Sequence, residues 1–175
     1  QGSHGLSNFV TDISKSVIDP LAGVSVFERQ KANSATNAST SKSKKEIFEA
    51  TTYPLGAMGS GSDYSSFIQH IGVPSLNIGY GGEDAGGEYH SIYDSYDHYA
   101  RFKDAEFKYG VTLAKTSGRA VLRLSEADVL PFDFTALHKT IKGYINELVS
   151  NVDALREKAQ VENDLIKNNA YTIAA

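Results

Sequence analysis

The feature that most constrains the fold of this 175-residue chain is a long helical repeat of apolar residues near its C-terminus. Apolar side chains recur there at three- and four-residue steps, the spacing that places them on one face of an α-helix. They are Phe134, Leu137, Ile141, Tyr144, Leu148, Val152 and Leu155. Pro131 interrupts the chain just before the repeat. The spacing predicts one helix of roughly 25–30 residues, of the kind found in helical bundles.

Shorter repeats predict three further helices. The same spacing appears over residues 6–18, about 63–71 and about 103–124. In the last of these, Phe107, Val111, Ala114, Gly118 and Val121 form the expected apolar stripe. Gly118 suggests close packing, because a glycine inside a helix costs about 1 kcal/mol relative to alanine. Residues 32–45 have almost nothing to bury, and their polar composition predicts an exposed, mobile loop.

One segment, residues 73–78, has the pattern of a buried strand with Pro74 near its start. Five glycines follow it between positions 79 and 87. Loops of this kind follow strand ends in α/β proteins, where functional sites collect. Because one strand cannot form a sheet, we expect its partner strands in a part of the protein that precedes Gln1.

The composition excludes several classes of function. A formal charge of −4 provides no broad basic surface for phosphates, so we expect no nucleic-acid partner. The chain has no cysteine, so any metal must be bound by His, Asp or Glu. No apolar run approaches the ~18 residues that a membrane span requires, so no membrane segment is expected.

The segment 88–98 is the densest group of side chains that could carry chemistry, and it directly follows the glycines. His90 could offer one imidazole nitrogen to a metal, with Asp94 orienting the ring or capping a turn. From spacing alone, a histidine in a loop is more often a surface group than a ligand, because a metal site needs several converging ligands. A helix that presents His90, Asp94 and His98 on one face is a further alternative.

A second glycine-rich segment, residues 59–64, precedes the predicted helix at 63–71. It lacks the lysine of a phosphate-binding P-loop and the full dinucleotide-binding pattern. It is either a tight turn before a helix or a backbone edge that lines a substrate cleft. No serine has a glycine two residues away on both sides, as the nucleophile of a hydrolase elbow requires.

Three strings in the chain resemble one family, the glutamate carboxypeptidase and transferrin-receptor-like family of zinc exopeptidases. Residues 55–64 are similar to the glycine-rich segment before the cleft helix of those enzymes. Residues 89–96 match the signature Tyr-His-Ser-x-Tyr-(Asp/Glu)-x-Tyr, and residues 129–133 resemble the junction to a helical dimerisation domain. The resemblance implies an α/β fold with a mixed sheet between helices, in three layers. It assigns residues 1–128 to the C-terminal part of the peptidase domain and 129–175 to the start of the helical dimerisation domain.

The resemblance also implies a site. His90 would be a zinc ligand, one of several around two zinc ions that activate a water for peptide hydrolysis. Tyr89 and Tyr144 would bind the C-terminal carboxylate of the substrate, while Gly61 and Ser62 would line the cleft. The catalytic general base and the other ligands would precede Gln1, so we expect this chain alone to be inactive.

The family resemblance further implies a homodimer and favours a secreted or extracytoplasmic location. The arginines that mark a preference for acidic peptides are absent from residues 76–79, which favours a broader peptidase. The alternative is a non-catalytic, transferrin-receptor-like binding protein of the same fold.

Overall fold

The computed structural model describes residues 1–82 and 88–174. The chain divides into two compact units, Gln1–Asp133 and Phe134–Ala175. Their assignment to a peptidase domain and a dimerisation domain stays a prediction.

The core of the first unit is built around its N-terminal helix. A 3-10 turn, His4–Leu6, leads into α1, Ser7–Ser16. Leu6 of the turn and Phe9 and Ile13 of α1 are buried and form a cluster with Ala120. The predicted helix over 6–18 is therefore confirmed, and it ends where Val17 turns to an extended conformation before Asp19-Pro20.

The two helices that follow occupy the segment predicted to be a mobile loop. Helix α2 is Val26–Asn37 and α3 is Ser41–Glu49, so the prediction of a loop over 32–45 is wrong. Hydrogen bonds at the N-termini of these two helices stabilise them in the absence of a strong apolar stripe. Ser25 and Glu28 form a reciprocal capping box at the start of α2, and the Thr40 hydroxyl caps α3.

The predicted helix at 63–71 forms as one short helical segment that ends in the π-helical turn Ser66–His70. Gly72 follows it with φ of 66°, a left-handed conformation that suits glycine and ends the helix.

The mixed sheet expected from the sequence is not formed, and the α/β fold class is wrong for this chain. Within the two described ranges there is no strand, only isolated antiparallel bridges between Gly2 and Leu76 and between Ile18 and Ser25. Within residues 73–78, Ser75 and Asn77 pair with the backbone of residues 1–3, whereas the Val73 N–H donates back to the Phe67 carbonyl oxygen. Such a short partner makes a bridge instead of a ladder, and the described chain is all-helical.

Helix α4, Lys108–Ser125, confirms the predicted helix but buries a different face. The buried residues are Thr112, Thr116 and Ala120, whereas Val111 and Val121 of the predicted stripe are 50% and 65% exposed. Both threonine hydroxyls donate to the carbonyl oxygen four residues earlier, which satisfies them inside the unit.

Gly118 does not support close packing either. A Cβ added at this position would meet no atom within 4 Å, so nothing in the described structure requires a glycine there.

The second unit contains α5, Ala136–Lys167, and the short α6, Ala170–Ala174. The 32 residues of α5 confirm the predicted long helix and slightly exceed its expected length. No helix in residues 1–82 or 88–174 combines the length and hydropathy that crossing a bilayer requires.

Candidate functional site

The turn at residues 88–95 carries three of the six predicted site residues, Tyr89, His90 and Asp94. The Ser91 N–H donates to the Glu88 carbonyl oxygen at 2.9 Å, and the Asp94 N–H donates to the Ser91 carbonyl oxygen at 3.1 Å. The Ser91 hydroxyl also donates to the Glu88 carbonyl oxygen. These bonds fold the segment into consecutive turns rather than a helix.

Tyr89 and His90 lie together on this turn. Their rings stack with centroids 3.9 Å apart and planes inclined by 22°. Tyr89 is 76% exposed, and His90 is exposed as well. His90 has φ of 60°, the left-handed region that non-glycine residues seldom adopt and in which histidine is enriched. Both side chains are therefore accessible to a ligand, and the backbone beneath the imidazole is held in an unusual conformation.

Asp94 shares the turn but makes no described side-chain contact with His90. The helical turn Tyr96–His98 begins only after it, with the Ser95 hydroxyl accepting from the His98 N–H at 3.2 Å. His90, Asp94 and His98 therefore do not lie on one helix, and that alternative is wrong. The role of Asp94 in orienting the imidazole stays a prediction.

Glu88, the residue before Tyr89, forms an ion pair with Lys103. The Lys103 Nζ lies 3.0 Å from the Glu88 Oε1, and the two side chains are 26% and 25% exposed. The Glu88 backbone N–H and the Lys103 ammonium group lower the pKa of the Glu88 carboxyl below its usual value. The carboxylate is therefore ionised over the whole neutral range.

The glycine-rich segment 59–64 forms a tight turn. Gly61 has φ of 92°, which only glycine adopts readily, and the Ser62 carbonyl oxygen accepts from the Ser65 N–H at 2.9 Å. Gly61 and Ser62 are exposed. Across the described ranges, no hydrogen bond or ion pair connects them to the turn at 88–95. Their place in a substrate cleft stays a prediction.

Tyr144 lies on α5 in the second unit and is 49% exposed. Its predicted contact with a substrate carboxylate is untested. Of the predicted site residues, the structure thus brings together Tyr89, His90 and Asp94, all on one turn.

The described residues do not make a complete metal site. No group of three or more His, Asp or Glu side chains converges anywhere in residues 1–82 and 88–174. A stable zinc site needs about three to four ligands, so His90 by itself does not fit a bound zinc ion. The imidazole has the right chemistry for one ligand and lacks the others.

The structure contains a buried polar cluster that no sequence pattern predicted. The Tyr109 hydroxyl donates to the Asp19 carboxylate, 3.2 Å from Oδ2, and the Asp19 side chain is only 4% exposed. The Tyr80 hydroxyl lies 2.9 Å from the Thr116 hydroxyl, and its ring contacts that of Tyr109 at 5.8 Å. Burial raises the pKa of the Tyr80 hydroxyl, the Thr116 hydrogen bond lowers it, and nearby Asp19 raises it further. This cluster fixes the chain where the predicted glycine loop begins; residues 83–87 of that loop lie outside the described residues.

Several of the curated proteins similar to this chain carry peptidase names. A probable glutamate carboxypeptidase of Arabidopsis thaliana, LAMP1, is 38% identical over 101 residues, which cover 54% of this chain and 14% of the relative. A probable glutamate carboxypeptidase of Arthroderma benhamiae is 36% identical over 103 residues, 57% of this chain and 14% of the relative. A second Arabidopsis protein, the probable glutamate carboxypeptidase AMP1, is 28% identical over 144 residues, 82% of this chain and 18% of the relative.

No family model and no solved structure matches the chain. The chain spans only 14–18% of the length of these three relatives.

Proposed function

We propose, since this chain belongs to the glutamate carboxypeptidase and transferrin-receptor-like family, that it contributes to the active site of a metal-dependent exopeptidase. The observation that carries the proposal is the similarity to proteins named as carboxypeptidases over 54–82% of the chain. The non-catalytic, transferrin-receptor-like alternative is not favoured, because these relatives are named as peptidases.

In this proposal the turn at 88–95 supplies the metal ligand and one of the two tyrosines that bind the substrate carboxylate. His90 provides one ligand of a centre of two zinc ions, which would activate a water for attack on the peptide bond. The described residues hold no complete zinc site, so the remaining ligands would belong to other parts of the full-length protein. The exposed imidazole and its unusual backbone conformation support a ligand role, since such conformations often collect at functional sites.

The tyrosines are proposed to bind the free carboxylate at the C-terminus of the substrate. Tyr89 has an exposed side chain beside the imidazole, and Tyr144 is half-exposed on α5. Each hydroxyl would donate one hydrogen bond to a carboxylate oxygen, an interaction stronger than a bond between neutral groups. Gly61 and Ser62 are proposed to line the cleft, and a homodimer in a secreted or extracytoplasmic location is proposed for the full-length protein.

The test is release of C-terminal amino acids by the full-length product of the gene that contains this chain. We expect hydrolysis of peptides with a free C-terminal carboxylate. His90→Ala should lower kcat/KM by more than about a hundredfold, since even residues that only orient a metal ligand are worth about 10–100-fold. His70→Ala is the matched control, because His70 is also exposed and lies in the same unit.

A separate measurement, the KM of the phenylalanine variants, tests carboxylate binding by the tyrosines. Tyr89→Phe and Tyr144→Phe should each raise KM about tenfold or more, as expected for a lost hydrogen bond to a charged group. Hydrolysis that is equally fast for a C-terminal amide would contradict carboxylate recognition. Hydrolysis that survives His90→Ala unchanged would exclude the catalytic proposal.

A further inference from the structure

The turn that carries His90 takes its position from Glu88. Two donors of Ser91, its N–H and its hydroxyl, bond to the Glu88 carbonyl oxygen. His90 lies between these residues with φ of 60°, a conformation that persists only where the surroundings hold it. A displacement of Glu88 therefore displaces the stacked pair of Tyr89 and His90.

Lys103 holds Glu88 through an ion pair that is partly shielded from water. The separation is 3.0 Å, and about a quarter of each side chain is exposed. The neighbouring pair of Arg101 and Asp97 has the same 3.0 Å separation but is 67% and 70% exposed. Exposed pairs contribute little, whereas a shielded pair is weakened less by solvent and salt. Of these two ion pairs, we therefore expect the Glu88–Lys103 pair to hold its turn in place.

Lys103 is itself attached to the packed part of the unit. It is the last residue of the π-helical turn Tyr99–Lys103. The next residue, Asp104, accepts hydrogen bonds from the Tyr99 hydroxyl at 3.0 Å and from the Gly110 N–H at 2.8 Å. Gly110 belongs to the first turn of α4, whose opposite end contributes Ala120 to the core. A continuous series of contacts thus joins α4 to the His90 turn through Asp104, Lys103 and Glu88.

We propose that Lys103 is a positioning residue, whose ion pair with Glu88 fixes the turn that presents Tyr89 and His90. The effect of this ion pair on peptide hydrolysis rests on the proposed function. Its effect on the position of the turn, the structural part of the proposal, concerns this chain alone. Among the described interactions, Lys103 has no cation–π contact with either ring, and its ion pair is with Glu88.

The structural part is tested by NMR on the 175-residue chain. With the two rings stacked at 3.9 Å, the ring current of Tyr89 displaces the imidazole proton resonances of His90 upfield. Lys103→Met keeps most of the side-chain length and removes the charge, so it should reduce that displacement by at least half. Arg101→Met is the matched control, because it breaks the exposed pair in the same helical segment and should leave the His90 resonances unchanged.

A charge exchange separates positioning from general destabilisation. Glu88→Lys alone and Lys103→Glu alone should both lose the displacement, and the double variant with exchanged charges should recover most of it. An unchanged helical circular-dichroism signal in each variant shows that the loss is local. His90 resonances that are the same in Lys103→Met as in the parent chain, or that Arg101→Met moves equally, would overturn the inference.

The functional part uses the full-length gene product. Lys103→Met should weaken zinc binding about fivefold, the upper end of what a partly exposed ion pair is worth. If Lys103→Met moves the His90 resonances while His90→Ala leaves hydrolysis intact, the structural inference stands and the peptidase proposal fails. If His90→Ala abolishes hydrolysis while Lys103→Met changes neither the resonances nor zinc affinity, the peptidase proposal stands and the positioning role is wrong.

Discussion

Replacing Tyr109 by phenylalanine removes one hydroxyl from the buried polar cluster and leaves the ring in place. That hydroxyl donates to the Asp19 carboxylate, 3.2 Å from Oδ2 and 3.5 Å from Oδ1. Because Asp19 is 4% exposed, water cannot readily replace the lost donor. A hydrogen bond to a charged group is worth about 1.5–3 kcal/mol. We expect a cost near the lower limit, because Asp19 keeps donors from the Leu21 and Ala22 N–H groups at 3.0 and 2.8 Å.

The assay is equilibrium unfolding in urea, in which a loss of about 1.5 kcal/mol lowers the midpoint without a change in slope. Tyr171→Phe is the matched control, because its hydroxyl also donates to a carboxylate, that of Glu162, at 2.7 Å, but in an exposed pair. We expect no measurable change in that control. If Tyr109→Phe is as neutral as Tyr171→Phe, the Asp19 carboxylate does not depend on this hydroxyl and the reasoning from burial is wrong.

Three further variants test the local features of the first unit. Ser25→Ala removes the cap of α2 and should cost about 1 kcal/mol in the free energy of unfolding, measured in urea. Gly118→Ala should stabilise the unit by up to about 1 kcal/mol, since the added methyl group meets open space; a loss of stability would show hidden packing. Asp104→Asn should destabilise at neutral pH. Desolvation raises the pKa of Asp104, but hydrogen bonds led by that from the Gly110 N–H lower it more, to a net value below 3.8. The deficit of Asp104→Asn should therefore persist above pH 3.8 and vanish as the pH falls through the folded-state pKa; a pH-independent deficit would contradict this assignment.

The sequence predicts the helices with strong apolar periods and misses those that depend on local bonds. The periods at 6–18 and 134–155 identified α1 and α5, because burial on one face leaves a regular trace. Helix α2 lacks a regular apolar period, because Phe27 is its one buried residue. Hydrogen bonds between Ser25 and Glu28 fix its start instead. The buried threonine face of α4 was equally hidden, because hydroxyl groups satisfied by the backbone of their own helix pack without an apolar signature.

The strand at 73–78 shows a different limit of the sequence pattern. An apolar run with Pro74 near its start fits a strand, but a strand forms only where a partner backbone is available. In the described chain that partner is residues 1–3, enough for the bridge at Leu76 and no more.

For the site, the motif pointed to the turn at 88–95, whose role as a site stays a prediction, and gave no sign of what holds that turn. Tyr89 and His90 do share one exposed turn, as adjacent residues must. The Glu88–Lys103 pair spans 15 positions that show no periodic pattern, so sequence reasoning had no signal for it. Zinc binding, carboxylate binding by the tyrosines and the cleft at 61–62 stay predictions.

Zinc stoichiometry of the full-length gene product, determined by native mass spectrometry, tests the central claim most directly. We expect two zinc ions per chain in the parent protein and at least one fewer in His90→Ala, with His70→Ala unchanged. A protein that holds no zinc, or that holds the same number after His90→Ala, would contradict the assignment of this imidazole as a ligand.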